Sequence, residues 1–264
     1  MQKHNIFIGY DPRESLTYRV AEYSILSRTN PGLVDIIPLR LETTPMLTRP
    51  IEWRTNENGV DQMWCPISNA PMSTEFAVSR FAVPFLEQSR GGFKMDWAKQ
   101  EMTKHNGFAL FMDCDMVVLC DIRELFELAD PKYAVQVVKH NHFPTEQYHD
   151  AGQLQTFYQR KNWSSIILWN LDHVGNKRLT LEALNTWPGR DLHAFKWLKD
   201  EEIGELPQEW NYLVGVNEPA DLRKQKILHY TNGQPGWRDW VPQETDYIFN
   251  EEVAKYKADL CAQE

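Results

Sequence analysis

No stretch of this chain approaches the roughly 18 consecutive apolar residues that a membrane-spanning helix needs. The opening, Met1 to Asn5, is polar and leads straight into a short apolar run, unlike a secretory h-region. Cysteine is scarce: Cys65, Cys114, Cys120 and Cys261 form no CxxC pair and have no zinc-like spacing to histidine. Reduced thiols and a cytoplasmic location are the expectation. Positive charge is in deficit, with 28 Lys and Arg against 37 Asp and Glu, and the formal net charge is −9. Bulk attraction to nucleic acid or to an anionic membrane is therefore disfavoured. An anionic ligand needs a local cation, either a metal ion or a few arginines. Internal repeats and low-complexity linkers are also missing.

What is present is ordinary globular composition. With 264 residues, 42% of them hydrophobic and 25% charged, the chain can bury a full core. One domain over residues 1–264 is expected. Asn5 to Tyr10 is a short, β-branched apolar run that predicts a buried strand, broken by Asp11-Pro12. Glu14 to Arg28 carries Leu16, Val20, Tyr23 and Ile25 at near-helical spacing, and Asn30-Pro31-Gly32 stops it. Val34 to Leu39 predicts a second strand. Such a strand–helix–strand opening starts an open, mostly parallel sheet.

Residues 42–73, rich in Thr, Pro and Asn around Trp53 and Trp64, predict an excursion from that sheet that can act as a lid. Thr74 to Gln88 predicts a helix, with a kink or early stop at Pro84. Further strands are expected at Gly107 to Met112, Met116 to Leu119, Tyr133 to Val138, Ser165 to Trp169 and Lys226 to Tyr230. Helices are expected at Ala194 to Leu198 and Thr245 to Leu260. The fold class is α/β.

The segment Phe108-Ala-Leu-Phe-Met-Asp113-Cys114-Asp115-Met-Val-Val-Leu119 carries the strongest chemical signal. Side chains alternate along an extended backbone, so Asp113 and Asp115 share a side. They either cap a turn before Asp121 or bind a cation. Two carboxylates at the end of an apolar strand are costly to bury unless something positive meets them. Ligands of open α/β sheets sit at the carboxyl ends of strands. Oxygen ligands suit a hard ion, Mn²⁺ or Mg²⁺, which can bridge to a diphosphate. His229, at the end of Lys226 to Tyr230, offers an imidazole beside the glycines of Thr231-Asn-Gly233-Gln-Pro-Gly-Trp237, though a hydrogen-bonded core histidine is the plainer reading.

Six segments in register resemble the family 8 glycosyltransferases and their bacterial and phage relatives: IFIGYDPRE, STEFAVSRFAVPFL, FMDCDMVV, WSSIILWN, LPQEWN and HYTNGQPGW. The resemblance covers nearly the whole chain and implies a GT-A fold, a Rossmann-like mixed, mostly parallel sheet flanked by helices. It also implies transfer of a hexose or related sugar from a nucleotide diphosphate sugar, by default a UDP-sugar, with retention of configuration. Asp113, Asp115 and His229 would ligate the metal. Tyr10 and Asp11 would meet the base, Arg80 the donor, and Gly233 the diphosphate.

Departures from the family pattern are equally specific. The lysine expected two residues before the last tryptophan is Pro235, with Lys226 and Arg238 the nearby cations. The Asp-Gln-Asp-like cluster before the late Leu-Pro is Asp191-Leu192-His193, so the glutamine is missing. Asp191 and His193 become the candidates near the reacting carbon, against a helix N-cap for the first and a surface histidine for the second. The Asn-Ser-Gly stretch is Trp163-Ser164-Ser165, which reshapes the acceptor side. Among ten tryptophans, Trp237 and Trp240 flank the glycine turn and are placed to stack on a sugar. Residues 139–161, with His140, His142 and His149, read as a polar or acceptor-facing segment rather than a metal cluster. Two alternatives stay open: a sugar nucleotidyltransferase, whose glycine-rich basic signature Gly9-Tyr-Asp-Pro-Arg-Glu14 matches poorly, and a non-catalytic nucleotide-sugar binding protein. The acceptor is not legible.

Overall fold

The computed structural model describes residues 3–90, 107–141, 148–149, 153–154, 159–237 and 240–263. Ile6, Phe7 and Ile8 are fully buried in strand β1 (His4–Gly9). Asp11 ends that strand: its carboxylate accepts from the Arg13 backbone N–H at 2.9 Å, and Pro12 takes a place where no amide donor is needed. Helix α1 (Ser15–Leu26) follows, burying Tyr18, Ala21 and Ile25 in the main core and Val20 in a second one. Strand β2 (Val34–Leu39) then pairs in parallel with β1.

The chain next leaves the sheet for strands β3 (Glu52–Thr55), β4 (Asp61–Cys65) and β5 (Ala70–Met72), an antiparallel sheet with its own small core of Met63, Cys65 and Met72. After helix α2 (Val83–Arg90) come β6 (Phe108–Met112), β7 (Met116–Val118), α3 (Arg123–Phe126), β8 (Val135–Val137), β9 (Tyr148–His149), β10 (Gln153–Leu154) and β11 (Ile166–Asn170). Then follow α4 (Leu181–Thr186), α5 (Gly189–His193), β12 (Ile203–Glu205), β13 (Tyr212–Leu213), β14 (Ile227–His229) and α6 (Asp246–Gln263).

The central sheet has the order β12-β8-β11-β6-β1-β2. β1 runs parallel to β2 and β6, β12 runs parallel to β8, and β11 is antiparallel to both its neighbours. This is the mixed, mostly parallel α/β sheet expected. No helix among the described residues is long and apolar enough to cross a membrane.

The chain changes sheets at one functional point. β6 ends inside the central sheet, whereas β7 pairs antiparallel with β14, which pairs parallel with β13. Asp113-Cys114-Asp115 is the bend between them, and His229 stands opposite Met116. Both ends of the bend are pinned: the Asp113 N–H donates to Ser165 O, and the Tyr230 N–H donates to Asp115 O, each at 2.9 Å.

Two expected helices differ. Residues 74–78 are not helical; a 3₁₀ turn covers Ser79–Ala82 and α2 starts only at Val83. The Glu75 N–H is drawn to Asp11 Oδ2 at 3.1 Å, and the Phe76 ring lies over Gly9, where a Cβ would come within 2.4 Å of it. These tertiary contacts override local propensity. Pro84 falls in the first turn of α2, where its missing N–H has no partner to lose, so it neither kinks nor stops the helix. Ala194 to Leu198 is a run of turns, because Phe195 adopts a φ of 54° just after α5.

Candidate active site

Asp113, Asp115 and His229 each offer one ligand atom, and these atoms all lie within 4.8 Å of one another. Arg80 Nη1 approaches Asp113 Oδ1 to 2.9 Å, and His229 Nε2 approaches Asp115 Oδ1 to 3.2 Å. Both Oδ1 atoms are buried, and their charge is met by Arg80 and, when its ring is protonated, by His229. Such oxygens are costly in a folded protein unless something positive completes them.

The histidine is oriented from behind. Ser165 Oγ donates to Asn162 O at 2.6 Å, so it accepts from Asn211 Nδ2 at 2.8 Å. The amide oxygen of Asn211 therefore faces His229 Nδ1 at 2.9 Å and accepts its N–H. Nε2 faces Asp115, and once its proton is lost it carries the lone pair a cation would take. A partner that fixes tautomer and ring direction in this way is the usual support of a metal-bound histidine. Two buried carboxylate oxygens and one oriented imidazole, converging on one point, fit a divalent cation.

Arg80 is buried beneath them. Its Nη1 donates to Ser164 O at 2.9 Å and its Nε to Ala77 O at 3.1 Å, while the guanidinium lies 4.9 Å from the Phe111 ring centroid. It thus holds Asp113 and the strand start at Ser164 together. Burial pushes the Asp113 carboxyl up to about 6 against the pull of Arg80. Burial acts on Asp115 in the same sense, but the charge of His229 outweighs it and holds that carboxyl below its usual range. His229 answers in kind: burial lowers it, and the charge of Asp115 more than restores it.

These groups line an open cleft of about 190 Å³. Glu14, Lys161, Ser164, Arg190 and His193 line it too, as does the β5 side of the excursion through Met72 and Ser73. Burial, then the charge of Asp115, pushes Glu14 up to about 8, and Cys114 Sγ donates to its Oε2 at 2.9 Å. His193 Nδ1 is 2.7 Å from Ser164 Oγ, and burial holds its imidazole well below the ordinary histidine range, neutral.

Of the residues singled out in the sequence, Asp113, Asp115, His229, Arg80 and His193 are brought together. Asp11, Tyr10, Gly233 and Asp191 are not among the residues that line the cleft. Asp11 is fully buried and bound to Arg13 at 2.6 Å, and Tyr10 packs under the Arg40 guanidinium at 3.9 Å. Gly233 supplies a turn with φ 101°, behind Thr231 and Asn232, which do reach the cleft. Asp191 sits inside α5 rather than capping it, and pairs with Lys196 at 2.6 Å. Lys226 is engaged by Glu124 at 2.7 Å. Arg238 and His142 lie outside the described residues, as does the side chain of His149. Trp240 packs against Tyr230 and donates to Asp246, so it supports α6 instead of facing a ligand.

The sequence reading missed Glu14, Lys161 and Asn211 and named Ser164 only within the acceptor-side stretch. Only Asn211 had a usable signal, an asparagine directly after a buried tryptophan in the late loop.

No protein-family model matches the chain. It is 38% identical over 259 residues to Protein CDI of Arabidopsis thaliana, across 95% of this chain and 86% of that one. The chain belongs to the Protein CDI family. Its fold is shared with solved glycosyltransferases. It superposes on the bifunctional glycosyltransferase WbbM with a TM-score of 0.59 at 15% identity, covering 96% of this chain. For the glycosyltransferase GlyE of Streptococcus pneumoniae TIGR4 the TM-score is 0.55 at 16% identity, covering all of this chain. The Protein CDI relative described here spans half the length of the WbbM chain and 64% of GlyE. At these identities the likeness concerns fold. The α/β sheet belongs to the fold found in these glycosyltransferases.

Proposed function

We propose that this chain is a divalent-metal-dependent glycosyltransferase of the family 8 type, taking a hexose or related sugar from a nucleotide diphosphate sugar, by default a UDP-sugar. The observation that carries the reading is the trio of Asp113, Asp115 and His229, whose ligand atoms converge at the seam between two sheets. Mn²⁺ or Mg²⁺ bound there supplies positive charge to the departing nucleoside diphosphate.

The protein's own groups do the rest. Asn211 sets the direction of His229, and Arg80 keeps Asp113 in place. His193 and Ser164, both neutral and lining the same cleft, offer hydrogen bonds to sugar hydroxyls. The sheet of β3, β4 and β5 borders the cleft and serves as the wall that restricts water, so that the donor reacts with its acceptor instead of hydrolysing. Retention of configuration and a single domain over 1–264 complete the proposal.

The test compares wild type with the Asp113→Asn, Asp115→Asn double variant by thermal unfolding. Mn²⁺ with a nucleoside diphosphate raises the midpoint of wild type only. An equal rise in the variant places ligand binding elsewhere and removes the metal from the account.

A further inference from the structure

Arg49 spreads its guanidinium over three groups beside the cleft. Nη1 donates to Leu184 O and to Trp187 O, each at 2.8 Å, and Nη2 donates to Cys65 Sγ at 3.3 Å. Ser68 Oγ donates to the same sulfur at 3.3 Å and accepts the Gly189 N–H at 2.8 Å. Two donors on one sulfur, one of them cationic, favour thiolate over thiol. Burial raises the Cys65 thiol, but the bonds from Ser68 and Arg49 outweigh it and hold the group below its ordinary value. The other thiols are placed differently. Burial pushes Cys120 up to about 12 and Cys114 well above its usual value, while Cys261 stands exposed near the end of α6.

Cys65 is 1% exposed and borders two spaces. Together with Ser68 it lines the cleft of about 190 Å³. With Arg49, Glu75 and Ser79 it also lines a small cavity of about 10 Å³, room for one water-sized atom. Two donors of that cavity are unpaired. Among the described residues, neither Arg49 Nε nor the hydroxyl of the fully buried Ser79 has a hydrogen-bond partner. Buried donors in this state are uncommon and mark a place for an acceptor. The acceptor that fits the space is a single oxygen.

An oxygen carried by Cys65 Sγ meets that requirement, and hydrogen peroxide reaching the sulfur from the cleft supplies it. The thiol proton passes to solvent and the thiolate attacks one peroxide oxygen. An S–O bond forms and the O–O bond breaks. Sulfur gives two electrons to the peroxide, whose other oxygen leaves as hydroxide and takes up a proton to become water. The sulfenic oxygen then accepts from Arg49 Nε and the Ser79 hydroxyl, and Glu75 stands in the same cavity to accept the S–O–H hydrogen. At 1% exposure the sulfur is open to reagents of near-water size and shut to bulky ones.

We propose that Cys65 is a site of reversible oxidation by hydrogen peroxide, with the small cavity beside Arg49 and Ser79 holding the sulfenic oxygen. The proposal is independent of the transferase reading. Arg49 and Ser68 also tie the excursion to α4 and α5 through Leu184, Trp187 and Gly189, so the oxidised sulfur lies at the joint of the cleft wall.

The test is peptide mapping by mass spectrometry after brief exposure of the reduced full chain to hydrogen peroxide at pH 6.5. The reaction is stopped with catalase, and the protein is then unfolded in dimedone, which tags sulfenic acids. Wild type should be tagged at Cys65 ahead of Cys114, Cys120 and Cys261. Arg49→Met removes a charge-assisted contact to the sulfur and should slow tagging about tenfold, with Arg49→Lys recovering most of the rate. Ser79→Ala should be oxidised as fast as wild type but return to thiol about fivefold faster in glutathione, having lost one contact to the oxygen. Urea unfolding of the reduced variants controls for folding; Ser79→Ala removes an unpaired hydroxyl and should not lower the midpoint. If Arg49→Met does not fold, the wild-type pattern and Ser79→Ala decide. Tagging of Cys120 or Cys261 while Cys65 stays intact overturns the proposal, as does an unchanged rate in folded Arg49→Met. Equal reversal in Ser79→Ala and wild type overturns the role of the cavity.

Discussion

Replacing Asn211 by leucine should weaken metal binding without touching a ligand. Asn211 is fully buried, and its amide connects the Ser165 hydroxyl to His229 Nδ1 through contacts of 2.8 and 2.9 Å. Leucine is similar in size but cannot accept the Nδ1–H. The imidazole then loses the partner that fixes its tautomer, and its proton can move to Nε2, the atom turned toward Asp113 and Asp115. Loss of such a supporting partner usually costs about 10- to 100-fold in metal affinity. That corresponds to roughly 1.4 to 2.7 kcal/mol. The buried Nδ1–H left without a partner costs about 1 to 3 kcal/mol of stability, while the Ser165 hydroxyl keeps its bond to Asn162 O.

The assay is titration with Mn²⁺ at pH 7.5, following the free ion by electron paramagnetic resonance, beside urea unfolding in chelator. Asn211→Asp keeps an acceptor toward Nδ1 and should retain most of the affinity. The reasoning is refuted if Asn211→Leu binds Mn²⁺ as wild type does, or if Asn211→Asp loses as much as Asn211→Leu.

Two further outcomes are expected. Arg80→Met leaves the Asp113 carboxylate buried without its cation, which should cost about 3 to 5 kcal/mol in urea unfolding at pH 7.5. Part of that loss should return at pH 5, where Asp113 takes up a proton; a loss under about 1 kcal/mol at pH 7.5 would show the pair to be structurally idle. Metal affinity should also fall with acidification. Burial lifts Asp113 to about 6, and the charge of Asp115 holds His229 above its ordinary value against burial. Both ligands must shed protons to bind, so affinity is full only above the raised His229 value and is lost as pH falls through it and then through about 6, by up to about tenfold per pH unit for each proton. Calorimetric titrations at pH 7.5 and 5.5 that give the same affinity would contradict this assignment.

Much of the fold was legible because its signals are local. Ile6 to Ile8 is an uninterrupted buried run, Asn30-Pro31-Gly32 stops α1, and β2 occupies Val34 to Leu39 as its β-branched residues suggest. Asp113 and Asp115 were paired correctly from alternation, although the residues form a bend between sheets rather than one strand. His229 joined them through its place at the end of an apolar run. What escaped depends on distant contacts. Residues 74–78 have helical composition, yet Asp11 and Gly9, more than 60 positions away in sequence, hold them in a bend and turns. β12 is only three residues long and carries a glycine, too little for a periodic signal. Asn211 matters because its partners lie 18 and 46 positions away and meet only once β14 pairs with β7 and β13.

The most direct measurement of the central claim is release of nucleoside diphosphate from a panel of nucleotide sugars, with Mn²⁺ and with chelator. The account predicts release from at least one donor in Mn²⁺, abolished by chelator and by Asp115→Asn. No binding to and no release from any donor, with or without metal, would contradict it.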